Sequence, residues 1–158
     1  MSDKESFISE KNIIIGLDAS SKEEAILQMS QALEKNGDVK VADQFYLDVL
    51  QRESLTTTGI GNNIAIPHGK SDAVIHPSLI FAKNKQLLKW NSLDQKPVNI
   101  IFLMAVGKGD GGKEHLQMLA HLSGNLMNDN FIAAIKDAQS PKEVLAIFDK
   151  FEEEKDHE

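Results

Sequence analysis

The run VNIIFLMAV at residues 98–106 constrains the fold more than any other stretch. It is short, rich in branched side chains, and broken by a single polar residue, Asn99. Side chains alternate along a strand, so a strand apolar at both parities must be covered on both faces. Covering it requires at least two further layers. SLIFAK (78–83) and NIIIG (12–16) read as further strands, and NIAI (63–66) as a brief one.

Helical spacing fills the gaps between them. In SSKEEAILQMSQALEKNG (20–37), Ser20 or Ser21 can cap a helix with Glu23 and Glu24 in its first turn. Ile26, Met29 and Leu33, with Ala25 and Ala32, form its apolar stripe, and Gly37 is a natural stop. A second helix spans 41–54, with Phe45, Val49 and Leu50 at helical spacing, and ends near Arg52. Segments 113–127, 129–138 and 140–154 read as three more. Leu116, Leu119, Ala120, Ser123 and Leu126 are expected on one face of the first, and Ser140–Pro141 should open the last. Helices interleaved with strands predict an α/β fold: a single three-layer domain over 1–158, core roughly 8–150. Its sheet should be mixed and mostly parallel, with helices on both faces.

The totals exclude several classes. With no cysteine there is no disulfide, thiolate metal site or cysteine nucleophile. A net charge of −7 without a basic stripe argues against nucleic acid. No apolar run reaches membrane-spanning length, and the polar start MSDKESFISEK lacks a signal-type apolar region. A cytoplasmic protein without direct membrane insertion is therefore expected.

Four stretches invite a chemical reading. Gly107 to Lys113 has the spacing of a phosphate-cradling loop, but Glu114 stands where a Mg²⁺-binding hydroxyl belongs. A plain strand-to-helix connection is the better reading. Gly59 and Gly61 begin a dinucleotide pattern that Ile64 breaks. Among the histidines, His115 and His121 fall on different faces of one helix, so no metal site is expected. His121 and His157 read as exposed, and His76, before Pro77, as a turn residue. The fourth stretch is TTTGIGNNIAIPHGK (56–70), read as a loop presenting His68 at a strand end. Pro67 stiffens the chain, and Gly69 leaves room for an approaching group. Thr56, Thr57 and Thr58 offer hydroxyls. Arg52, the single arginine, is a planar cation suited to phosphate. These parts fit an anion site around a nucleophilic imidazole; a structural or exposed histidine is the alternative.

RESLTTTGIGNNIAIPHGK (52–70) closely resembles the active-site signature of the enzyme IIA proteins, fructose/mannitol type, of the phosphoenolpyruvate-dependent sugar phosphotransferase system. LKWNSLDQKPVNIIFLMAV (88–106) resembles the family's tryptophan turn and central strand, and EHLQMLAHLSGNL (114–126) its second histidine-bearing helix. The resemblance implies that His68 accepts a phosphoryl group from the carrier HPr. It then donates the group to a cysteine of a IIB component, serving the IIC permease. Arg52 and His115 match the supporting arginine and the second active-site histidine, and no cofactor is implied. Asn63 stands where many relatives carry glycine, which favours the sugar-transport branch over the nitrogen-regulatory one. A fructose-type sugar is expected, with a regulatory IIA protein as the alternative.

Overall fold

The computed structural model describes residues 8–109 and 112–156. After a short helical turn at Glu10–Asn12 come β1 (Ile13–Leu17), α1 (Lys22–Lys35), α2 (Ala42–Leu55), β2 (Gly59–Gly61), β3 (Ile64–Ala65) and β4 (His68–Lys70). They are followed by β5 (Ser78–Leu88), β6 (Val98–Val106), α3 (Lys113–Leu126), α4 (Asp129–Asp137) and α5 (Pro141–Asp156). The sheet order is β1–β5–β6–β3–β2, with β4 also on β6. β1–β5, β3–β6 and β4–β6 pair in parallel; β5–β6 and β2–β3 pair antiparallel. The mixed sheet is as expected, although its longest ladder, β5–β6, is antiparallel.

Every residue of β6 except Asn99 is buried. Its alternate side chains feed two separate cores. Ile101, Leu103 and Ala105 pack with Ile26, Met29 and Leu33 of α1 and with Phe45 and Val49 of α2. Ile100, Phe102, Met104 and Val106 pack with Met118 and Leu122 of α3, Phe131 and Ile135 of α4, and Phe148 of α5. Each fully buried large side chain contributes roughly 1.5–3 kcal/mol, so the two layers hold the sheet from both sides.

Local signals behave as read. Ser21 Oγ accepts from Glu24 N at 3.1 Å, and Glu24 Oε1 accepts from Ser20 N. Gly37, at φ +85°, closes α1: its N–H donates to Glu34 O, and Asp38 N donates to Leu33 O. Ser140 Oγ accepts from Glu143 N ahead of Pro141. One helix face departs in part from expectation: Leu119 and Leu126 do pack against the core. In α3, Leu116 is 66% exposed and Ala120 also faces outward, while Met118, Leu122 and Asn125 are buried. Counting back along that buried face by helical steps reaches His115, at the start of the helix. His121 is partly buried rather than exposed, and His76, expected in a turn, lies in an exposed bend before Pro77. His157 lies outside the described residues.

The segment read as a loop is largely strand. Asn62 and Asn63, at φ 57° and 66°, form the two-residue turn between β2 and β3, where both central residues need positive φ. Glycine and asparagine both tolerate that geometry, and the Asn63 side chain also donates to Pro97 O at 2.8 Å. β3 and β4 keep one register against β6: Ile64 pairs Ile100, Ala65 pairs Ile101, and His68 pairs Met104. They are one strand interrupted at Ile66–Pro67, because Pro67 has no N–H to donate; its carbonyl still accepts from Met104 N at 3.0 Å.

Gly69 does not provide room for a visiting group. A Cβ there would stand 2.7 Å from Val49 Cγ2 and 3.0 Å from Phe45 Cε1. Glycine is what lets β4 lie directly on α2. Gly69→Ala should lower stability by about 1–3 kcal/mol through overpacking. Gly107→Ala, which meets nothing within 4 Å, should be near neutral. Urea denaturation of the two variants measures the difference.

Candidate functional site

Alternation along the β3–β4 strand sends Ile64, Ile66, His68 and Lys70 to one side and Gly69 to the other. Ile64 and Ile66 join the core beneath α3–α5, so His68 faces the layer that contains His115. The two imidazoles meet with ring centroids 4.5 Å apart and planes tilted by 41°. Residues 47 positions apart in the chain are thus brought together by the β6–α3 connection. That connection is the glycine-rich stretch from Gly107; Asp110 and Gly111 within it lie outside the described residues.

His68 Nδ1 lies 3.2 Å from Ile66 O. A carbonyl can only accept, so Nδ1 carries the hydrogen and the neutral ring keeps its lone pair on Nε2. Burial is the main cause that pushes the His68 pKa below 6.5. The contact with Ile66 works against it, while the charges of His115 and Arg52 lower it further; Glu53 raises it. His115, third residue of α3, is likewise lowered by burial, then by Lys70 and Arg52. Its Nε2 is buried without a hydrogen-bond partner.

Arg52 comes from the last turn of α2, in the opposite layer, where a cation also suits the helix C-terminus. Its guanidinium donates to Thr56 O at 3.0 Å, and its charge acts on both histidines. All three residues picked out in the sequence therefore belong to one neighbourhood.

The threonines behave differently from expectation. Thr56 Oγ1 donates to Leu55 O, Thr57 Oγ1 to Trp90 O, and Thr58 Oγ1 to Glu53 Oε1. Their hydrogens are spent ordering the segment and are not free for a ligand. Gly59 likewise makes room for packing, since a Cβ there would lie 2.2 Å from Ser92 Oγ.

Two residues escaped the sequence reading. Glu53 is buried and accepts from both Thr58 N (2.9 Å) and Thr58 Oγ1 (2.6 Å), with Lys22 Nζ 3.8 Å away. Its signal was a carboxylate extending the buried stripe Ala42, Phe45, Val49. Lys70 is two residues from His68 on the same strand face. That relation is invisible while 68–70 is taken for a loop. A Cβ built on Gly112, the N-cap of α3, would stand 3.1 Å from Lys70 Nζ. Arg52, Lys70 and the N-terminal end of α3 thus bring positive charge around two uncharged imidazoles, an arrangement that attracts an anion. Among the described residues no group of acidic or histidine side chains could hold a metal ion.

Residues 6–151 match the model of the family "Phosphoenolpyruvate-dependent sugar phosphotransferase system, EIIA 2", and the chain belongs to that family. It is 31% identical over 143 residues to the fructose-specific EIIABC component of Bacillus subtilis, covering 90% of this chain and 22% of that protein. The chain thus spans about one fifth of the length of such multicomponent relatives. Its fold is similar to nitrogen regulatory protein IIA-Ntr of Neisseria meningitidis, with TM-score 0.80 and 26% identity over 89% of this chain and 94% of that one. It is also similar to enzyme IIA-mannitol of Escherichia coli in complex with phosphorylated IIB-mannitol. There the TM-score is 0.76 and the identity 25%, over 90% of this chain and 97% of that one.

Both imidazoles should titrate below 6.5, His68 chiefly because burial disfavours its cation. A base with a depressed pKa makes the folded state lose stability as pH falls from 6.5 through the folded pKa, with no effect above 6.5. Imidazole proton shifts followed by NMR against pH check this; a midpoint above 6.5 for His68 would contradict the burial argument.

Proposed function

We propose that the chain relays a phosphoryl group on Nε2 of His68. The observation that carries this reading is the neutral His68 ring, its Nδ1–H held by Ile66 O, set among cationic groups and facing His115. The Nε2 lone pair attacks the phosphorus of a donor phosphohistidine. A new N–P bond forms as the donor's N–P bond breaks, and that electron pair returns to the donor imidazole. Nδ1–H of His68 stays in place, so no proton has to leave the ring. Positioning and charge stabilisation dominate such transfers. Arg52 supplies charge, and His115 orients and hydrogen-bonds the group without carrying it.

The donor is phospho-HPr and the acceptor a cysteine of a IIB component, which passes the group on as the IIC permease moves a fructose-type sugar. Support for the IIB partner comes from the mannitol IIA–phospho-IIB complex, and for the sugar from the fructose-specific relative. Leu116 and Leu55, 66% and 76% exposed beside His115 and Arg52, suit a surface that two proteins cover in turn. A cytoplasmic location follows from these partners. A second reading, a regulator that signals through phospho-His68-dependent binding, is favoured by the likeness to the nitrogen regulatory protein.

Incubation with phospho-HPr should add one acid-labile, base-stable phosphate, absent from His68→Ala; full labelling of that variant would refute the assignment. His115→Ala should still accept phosphate but slow onward transfer to a IIB cysteine by about a hundredfold, as when one stabilising donor is lost. Quenched-flow assays with each genomically adjacent IIB test this. If phosphorylated wild type finds no IIB acceptor, the regulatory reading takes over.

A further inference from the structure

We infer that Lys70 is the second cation of the site, beside Arg52, holding the non-bridging oxygens of the phosphoryl group carried on His68. This rests on the phosphoryl-relay reading for the identity of the group, but the cation role itself comes from placement. Lys70 ends β4, and alternation puts its side chain on the same side as His68, about 7 Å further along the strand. Its Nζ reaches the start of α3, 3.1 Å from where a Cβ on Gly112 would stand. Gly112, at φ +89°, is in the backbone region that glycine favours.

The ammonium adds positive charge where other positive charge already gathers. It sits at the positive end of a helix, and its charge reaches His115, which Arg52 also opposes. Among the described residues no carboxylate pairs with it. A dianionic group on His68 Nε2 would meet the positive charge of Lys70 and Arg52, both of which act on His115. The unpartnered Nε2 of His115 borders the same space. Arg52 and Lys70 come from different elements, α2 and β4. Lys70 is exposed, so its attraction acts through solvent and must weaken with salt.

Two measurements test this, one of them independent of the relay. Inorganic phosphate is titrated into wild type, Lys70→Met and Lys70→Arg, with the ring signals of His68 and His115 followed by NMR. Lys70→Met should weaken phosphate binding roughly fivefold at low salt, the upper range for an exposed charge pair. Lys70→Arg should keep most of the affinity, and the deficit of Lys70→Met should shrink at high salt. A structural role would not respond to salt or be rescued by arginine. In the same titrations Lys70→Met should raise the His115 midpoint. Phosphate affinity unchanged in Lys70→Met at low salt would overturn the proposal. Transfer from phospho-HPr is then timed, and Lys70→Met should accept the group roughly tenfold more slowly. If wild type binds phosphate through Lys70 but takes no phosphoryl from phospho-HPr, the relay reading fails and the cation assignment stands. If wild type accepts the group and Lys70→Met matches its rate, the cation assignment fails and the relay stands.

Discussion

The parallel register between the His68 strand and β6 holds the rest of the site in place. Ile64 to Lys70 keep one offset against Ile100 to Val106, and Pro67, which cannot donate, still accepts from Met104 N. That register decides which way His68 points. A slip by one residue would turn it toward α2 and bring Gly69 to face α3. Two features guard against the slip. Gly69 fits against Val49 and Phe45, where a larger side chain collides. Ile64 and Ile66 must reach the apolar layer under α3–α5, while Ala65 belongs to the other core.

With the strand in register, the chemistry follows from burial and charge. Desolvation lowers the pKa of both imidazoles and so favours their neutral forms. Arg52, Lys70 and the start of α3 concentrate positive charge where no fixed carboxylate among the described residues has a hydrogen bond to either ring. The nearby carboxylate, Glu53, is occupied with Thr58 and faces Lys22. Its charge moderates the field at His68 without occupying the anion's place. The threonine segment thus acts as a buttress between α2 and the tryptophan turn, through Thr58 to Glu53 and Thr57 to Trp90 O.

The misread parts of the sequence share one cause. The glycines and threonines around His68 resemble a ligand-binding loop in composition, yet Gly59 and Gly69 answer to Ser92, Val49 and Phe45, and the threonines to their own neighbours. Such contacts arise from elements distant in the chain, so spacing alone does not report them. The α3 face was misassigned at Leu116 and Ala120, though not at Leu119 and Leu126, because leucine and alanine occur all round that helix. Only the layer beneath it separates buried Leu122 from exposed Leu116. Lys70 stayed hidden because a three-residue strand has too few side chains to display its alternation.

The amino-acid order alone determined the layers and the core. β6 is apolar at both parities, the helices carry their own stripes and caps, and the tract around Pro67–His68–Gly69 carries its family's signature. These are local patterns, set by side-chain periodicity and backbone preference, and they survive without knowledge of neighbours. Tertiary structure alone decided which groups share a space. It brought His115 to within 4.5 Å of His68 between ring centroids, carried Arg52 in from the opposite layer, and turned Lys70 to the same side as His68. Electrostatic fields and desolvation depend on distance through space, and that distance exists only once the sheet has closed between its two helical layers.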